Sequence, residues 1–252
     1  MNAPHLPRYQ RLIAHLAGQA LDLAEPHADP AEPGSLAIAL LAARRLLNPD
    51  VPGKARAPSA EPLRDSHGHT RPAYRWLAAH LARQAGATPA LDTLDTPHDD
   101  AIEVRCLAAA CIDAPAADLI PELEDHATAP TPLHPYVDGD ELIDVWWYRE
   151  LAAIHGLANL VAHAAPHKQD RLRSAVLYHL DNTQPDHTTA QPWGVAAFAF
   201  FPEAIPFADQ QLHDAQANWT ASGPAAALLP GLILADAAHT LARLTQRDPL
   251  PA

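Results

Sequence analysis

Apolar residues recur along this chain at the three- and four-residue spacing of amphipathic helices. Nowhere do they alternate over a useful length as a strand requires. In the first segment Tyr9, Leu12, Ile13, Leu16, Ala20 and Leu23 share one face, and Pro26, Pro30 and Pro33 end it. Ser35 suits the N-cap of a second helix, with Leu36, Leu40, Ala43 and Leu47 in line, and Asn48-Pro49 stops it. The same pattern predicts helices from Pro72 to Gly86, Asp99 to Asp113, Pro115 to Asp125, 140 to 165, and Pro166 to Leu180. Shorter ones follow at 193–201 and 203–218, and a last one from Pro224 to Thr245 with Pro230 inside it. The expected fold class is therefore all-α, with nine or ten helices in antiparallel hairpins forming one domain over 1–252. Long proline-rich loops are expected at 48–70, 127–140 and 181–192, and loops of that length in a compact domain are often functional.

Two segments echo one another. HTRPAYRWLAAHL (69–81) and HTTAQPWGVAAFAF (187–200) both run from His-Thr, through proline and an aromatic residue, into an alanine-rich helix. This loop-to-helix pattern resembles the α/α-toroid proteins, such as terpenoid cyclases and six-hairpin glycosidases, in architecture only. The chain has fewer helices than the twelve of a six-hairpin ring, so the resemblance implies an incomplete ring or an irregular helical array.

Composition narrows the function classes. Seventeen basic against thirty acidic residues give a net charge of −13, and no basic cluster opposes it, so nucleic acid and anionic membranes are not expected partners. The two cysteines, Cys106 and Cys111, fall on different faces of one predicted helix and read as small buried hydrophobes in a reducing compartment. The opening MNAPHLPRYQ has no apolar leader, and the longest apolar run, Pro224 to Ala235, is interrupted by Pro230-Gly231 and short for a bilayer. A soluble cytoplasmic protein is expected. Nothing in the sequence speaks to oligomeric state.

The 140–165 segment carries the most chemistry. Leu142, Ile143, Trp146, Trp147, Leu151, Ile154, Leu157, Ala158 and Val161 cover about half of the helix, with Glu150 in the middle of that apolar arc. A carboxylate there is desolvated unless it has a partner, which suits either a structural ion pair or a general acid or base. The other face, with Glu141, Asp144, Tyr148, His155, Asn159 and His163, reads as solvated, or as the lining of a polar cavity if the helix is central. His179 lies on an apolar face with Leu172, Ala175, Val176 and Leu180, and Asp181, Asn182, Asp186, His187, Gln191 and Trp193 crowd behind it. Such a loop fits a hydrogen-bonded structural turn, a divalent metal, or a polyol gripped beneath a stacked indole.

Weaker signals complete the set. His67 and His69 form an H-x-H, and with His187 they are the candidate metal ligands, although no resident cofactor is expected. Asp99, Asp100 and Glu103 match a D-D-x-x-E spacing, while Asp95/Asp99 and Asp140/Asp144 match D-x-x-x-D, all at helix starts where capping accounts for them. Asp236, His239 and Arg243 form a stripe suited to an ion-pair network.

Three functions fit. The first is binding or processing of a small polyhydroxylated, carbohydrate-like ligand, with Glu150, His179 and Asp186 as catalytic candidates. Trp146, Trp147, Asp181, Asn182, His187, Gln191 and Trp193 would be its binding candidates. The second is a non-catalytic helical scaffold for another protein. The third is a metal-dependent hydrolase. The partner is accordingly a small molecule or a protein.

Overall fold

The computed structural model describes residues 6–25, 35–51, 69–86, 101–112, 129–136, 142–182 and 191–246. Among these the architecture is all-helical, with nine α-helices and no strand. They are α1 (Leu6–Ala24), α2 (Ser35–Leu47), α3 (Pro72–Gln84), α4 (Ile102–Ile112) and α5 (Ile143–His163), followed by α6 (Gln169–Asn182), α7 (Val195–Phe200), α8 (Ile205–Ser222) and α9 (Pro224–Gln246). The helix expected over 115–125 lies outside the described residues.

Prolines set several of the starts. Pro72 occupies the first turn of α3 and Pro206 that of α8, positions where a missing N–H leaves no broken ladder. Pro166 and Pro202 instead open short 3-10 turns, Pro166–Lys168 and Pro202–Ala204, that lead into α6 and α8. Gly194, with φ of 76°, supplies the left-handed residue from which α7 starts.

Pro230 lies inside α9, where the 224–245 reading placed it. The helix runs through it, and Ala226–Gln246 is long and apolar enough by length and composition to cross a bilayer, yet 83% of its most apolar stretch is buried inside the protein. Packing provides the reason. α9 lies along α1, where Gly231 sits against Ala20 and Leu21, and it also meets α2, α3, α5, α7 and α8. Burial on every side outweighs one missing backbone hydrogen bond.

Successive helices pack each on the next, and α9 returns to α1. Two of them are central. α9 is one, and α5 is the other: it touches α4, α6, α7 and α9. Gly156 marks the closest crossing, because a Cβ there would stand 2.7 Å from the Cys106 Cβ and 2.7 Å from the Leu107 backbone nitrogen. α5 is therefore buried all round from Trp146 to Ala162, Arg149 excepted. The reading of Tyr148, His155 and Asn159 as a solvated face is overturned, since α9 and the Trp193 turn cover that side.

Candidate functional site

A central helix with polar residues on two faces must satisfy them internally, because an unpaired buried polar group costs about 1–3 kcal/mol. α5 pairs most of them through two clusters, one around Glu150 and one around Asp236, while Trp147 Nε1 and His155 Nδ1 have no hydrogen-bond partner among the described residues.

Glu150 is 0% exposed. Its Oε1 accepts the Leu133 backbone N–H at 2.7 Å and its Oε2 accepts that of His134 at 2.6 Å. The segment 129–136 has no helix or sheet to absorb its backbone groups, so side chains do it. Trp146 Nε1–H donates to the His134 carbonyl at 2.7 Å, and Arg171 donates to the carbonyls of Thr131 and Pro132 at 2.9 and 2.6 Å. Ser174 Oγ accepts from the Thr131 N–H at 3.2 Å. Burial pulls the Arg171 guanidinium below its ordinary range, and the Glu150 charge opposes that shift. With these contacts Leu133 is held in the core.

His179, also 0% exposed, places Nε2 3.3 Å from Glu150 Oε1. The Trp147 and Trp146 rings lie 5.2 and 6.3 Å from its own. Four sequence-selected residues, Trp146, Trp147, Glu150 and His179, are thus brought together. The indole nitrogen of Trp147 is buried and has no hydrogen-bond partner among the described residues.

The remaining candidates do not join them. Asp181 and Asn182 are exposed at the end of α6, where Asn182 Nδ2 donates to the Tyr178 carbonyl at 2.9 Å. Trp193 is 0% exposed, but its ring packs on Tyr148 and His155, its Nε1–H donates to Gln191 Oε1 at 3.0 Å, and its carbonyl accepts from Gln211. Gln191 in turn approaches Tyr74 Oη at 3.5 Å. His69 is exposed; His67, Asp186 and His187 lie outside the described residues, as do Asp95, Asp99, Asp100 and Asp140. Glu103 ends in an ion pair with Arg149 at 3.4 Å, which ties α4 to α5. Among the described residues no group of three or more His, Cys, Asp or Glu side chains has a metal-holding arrangement.

The second cluster was only partly visible in the sequence. Asp236 on α9 is 0% exposed and accepts three hydrogen bonds: from His80 Nδ1 at 2.8 Å, from His155 Nε2 at 2.8 Å and from Asn159 Nδ2 at 2.7 Å. Burial alone would raise the carboxyl pKa. Attraction to His80 and the hydrogen bonds from His155 and His80 win, and hold it well below the usual carboxylate range. Thr240 donates to Asn159 Oδ1, fixing which way the amide points. The network then runs outward. Gln84 Nε2 lies 3.0 Å from His80 Nε2 and 2.9 Å from His163 Nε2, and the His163 ring stacks on His239 at 5.8 Å with an interplanar angle of 11°.

The expected Asp236–His239–Arg243 stripe is therefore divided. Asp236 faces inward to α3 and α5, His239 faces His163, and Arg243 is exposed. His80 was missed, although it carries the same signal that singled out His179: it follows Ala73, Tyr74 and Leu77 on an apolar helical face.

At the surface, a groove of about 500 Å³ runs between the start of α1 and the turn into α8. Tyr9, Leu12, Pro202, Ile205 and Pro206 wall it, and the exposed Arg8 and Asp209 flank it. Tyr9 Oη donates to Asp209 Oδ1 at 2.8 Å, and burial followed by that carboxylate pushes the phenol up to about 12.

The described residues thus form an all-helical array with two buried polar clusters and a groove at its surface. No protein-family model, curated protein or solved structure matches the chain.

Proposed function

We propose that this protein is a non-catalytic helical scaffold that holds an extended segment of another protein, acting in the cytoplasm. The groove between α1 and α8 carries the reading. Its rigid apolar walls, two of them prolines, suit apolar side chains of an extended partner segment. The net charge of −13 and the Asp209 flank select a partner with lysine or arginine beside those side chains. The fully buried carboxylates add support. Glu150 and Asp236 give their oxygens to groups of this chain, whereas a general acid or base must reach a substrate. The two buried free thiols fit a reducing compartment. The return of α9 to α1 brings the first and last helices together, as in a toroid-like array.

A panel of labelled extended peptides alternating leucine with lysine, and the same panel with glutamate for lysine, tests this by fluorescence anisotropy. The basic panel should bind saturably, and Leu12→Ser with Ile205→Ser should weaken it roughly tenfold or more, the effect of losing two apolar contacts. No saturable binding, or binding indifferent to the double substitution, refutes the groove.

One observation favours a second reading, in which a small polyhydroxylated ligand binds at the Glu150 end. Trp146, Trp147 and His179 converge there, and the Trp147 indole N–H has no partner among the described residues. A Trp147→Phe variant that lost binding of a polyol or oligosaccharide, with stability unchanged, would support it.

A further inference from the structure

The polar cluster on α9 does more than satisfy buried groups. Its outer half is built from imidazoles, His80, His163 and His239, set close together, with one amide between the first two. His80 donates Nδ1–H to the Asp236 carboxylate, so a neutral His80 has only a lone pair left on Nε2. The Gln84 amide nitrogen meets that lone pair and the Nε2 of His163, one amide hydrogen to each. A proton added to either Nε2 sets donor against donor. The His163 and His239 rings lie face to face at 5.8 Å, and His80 presents its edge to His163 at 5.4 Å, so charges added there repel one another. Asp236 opposes this through its charge, but its oxygens already serve His80, His155 and Asn159, which leaves no hydrogen bond for His163 or His239.

We propose that the histidine cluster around Asp236 is an acid-sensitive latch, in which protonation of His163 and His239 loosens α9 from α3 and α5. The latch acts on the helix core and does not rest on the binding reading of the groove.

The surroundings favour that direction. Burial, then His80, His239 and Arg243, draw the His163 imidazole down to about 4, with Asp236 opposing. Burial draws His239 down as well; Asp236 opposes it, and Arg243 and His80 add to it. The helices packed on this seam bring few further charges toward it: on α3, Arg83 donates to the Cys111 carbonyl and Arg75 is exposed. α7 has no ionisable side chain. α2 brings Arg44, already paired with Asp22 and Glu25, and Arg45. α4 brings Glu103, paired with Arg149, together with Arg105 and the thiols Cys106 and Cys111. α1 carries Arg8, Tyr9, Arg11, His15 and Asp22, and α8 carries Asp209, His213 and Asp214, of which Tyr9 and Asp209 bond each other and Asp22 binds Arg44. A histidine with a depressed folded value is protonated first in the unfolded chain. Its contribution is therefore complete above about 6.5 and is lost as pH falls toward 4.

Urea unfolding at pH 7 and pH 5 tests the latch. His163 alone should lower the folding equilibrium constant on the order of tenfold over that range, after allowance for solvent screening. The double variant His163→Phe/His239→Phe should lose most of this dependence. In Gln84→Glu the new carboxylate can only accept, so it should favour the protonated imidazoles and shrink the acid loss. A double variant with the wild-type dependence overturns the proposal. Imidazole proton shifts give an independent reading on the unmodified protein. His163 still uncharged at pH 5.5 supports the latch, and half-protonation near 6.5 overturns it.

Discussion

Replacing Glu150 by glutamine changes few atoms and tests what that residue does. In the native arrangement each carboxylate oxygen accepts one backbone N–H, from Leu133 at 2.7 Å and His134 at 2.6 Å, and His179 adds a third contact at 3.3 Å. A glutamine has one oxygen. Whichever way the amide turns, its NH2 faces one of those backbone donors, and a buried N–H is orphaned at about 1–3 kcal/mol. The surviving bonds lose the carboxylate charge, which makes such contacts roughly twice as strong as neutral ones. Arg171, whose guanidinium is buried beside the same segment, loses its nearby opposite charge. Breaking a buried charged cluster in this way costs roughly 3–5 kcal/mol, a large part of the 5–15 kcal/mol of an ordinary domain. For a chain of this size the shift corresponds to a fall in Tm of roughly 6–20 °C. Urea unfolding followed by circular dichroism measures it directly. A loss below about 1 kcal/mol refutes the claim that Glu150 anchors the 129–136 segment.

Further expectations concern the core and its charges. Gly156→Ala places a methyl group 2.7 Å from Cys106 Cβ and Leu107 N, so α4 and α5 must separate, lowering unfolding free energy by about 1–3 kcal/mol. Asn159→Ala removes a donor to Asp236 and the acceptor for Thr240; thermal unfolding should show a loss of about 2–4 kcal/mol. Because the Asp236 carboxyl is held low, its contribution is present above about 3.9 and lost as pH falls through the folded value; an Asp236→Asn variant should lack that part of the acid limb. Tyr9, raised to about 12, should stabilise the fold fully below about 10 and lose that effect toward 12, and Tyr9→Phe should remove that share of the alkaline loss in stability.

Much of the fold was legible because helix periodicity is a local property. The starts at Pro72 and Pro224 and the end of α2 at Leu47 follow from residues next to them in sequence. Which face of a helix meets solvent is not local. Tyr148, His155 and Asn159 look like a polar surface stripe until α9 and the Trp193 turn are placed over them. Glu150 and His179 were legible as misfits on apolar faces, and their convergence matches that signal. Their partners were not, since two backbone amides from a loop sixteen or seventeen residues upstream leave no mark in side-chain pattern. His80 shows the opposite failure: its signal was present, but its partner Asp236 lies 156 residues away.

Native-state hydrogen exchange at the Leu133 and His134 amides bears most directly on the claim that the interior carboxylates clamp this fold together. These two amides sit outside any helix, yet they should exchange as slowly as amides within α5, and that protection should vanish in Glu150→Gln. Exchange at the rate of an open loop in the unmodified protein would contradict the account.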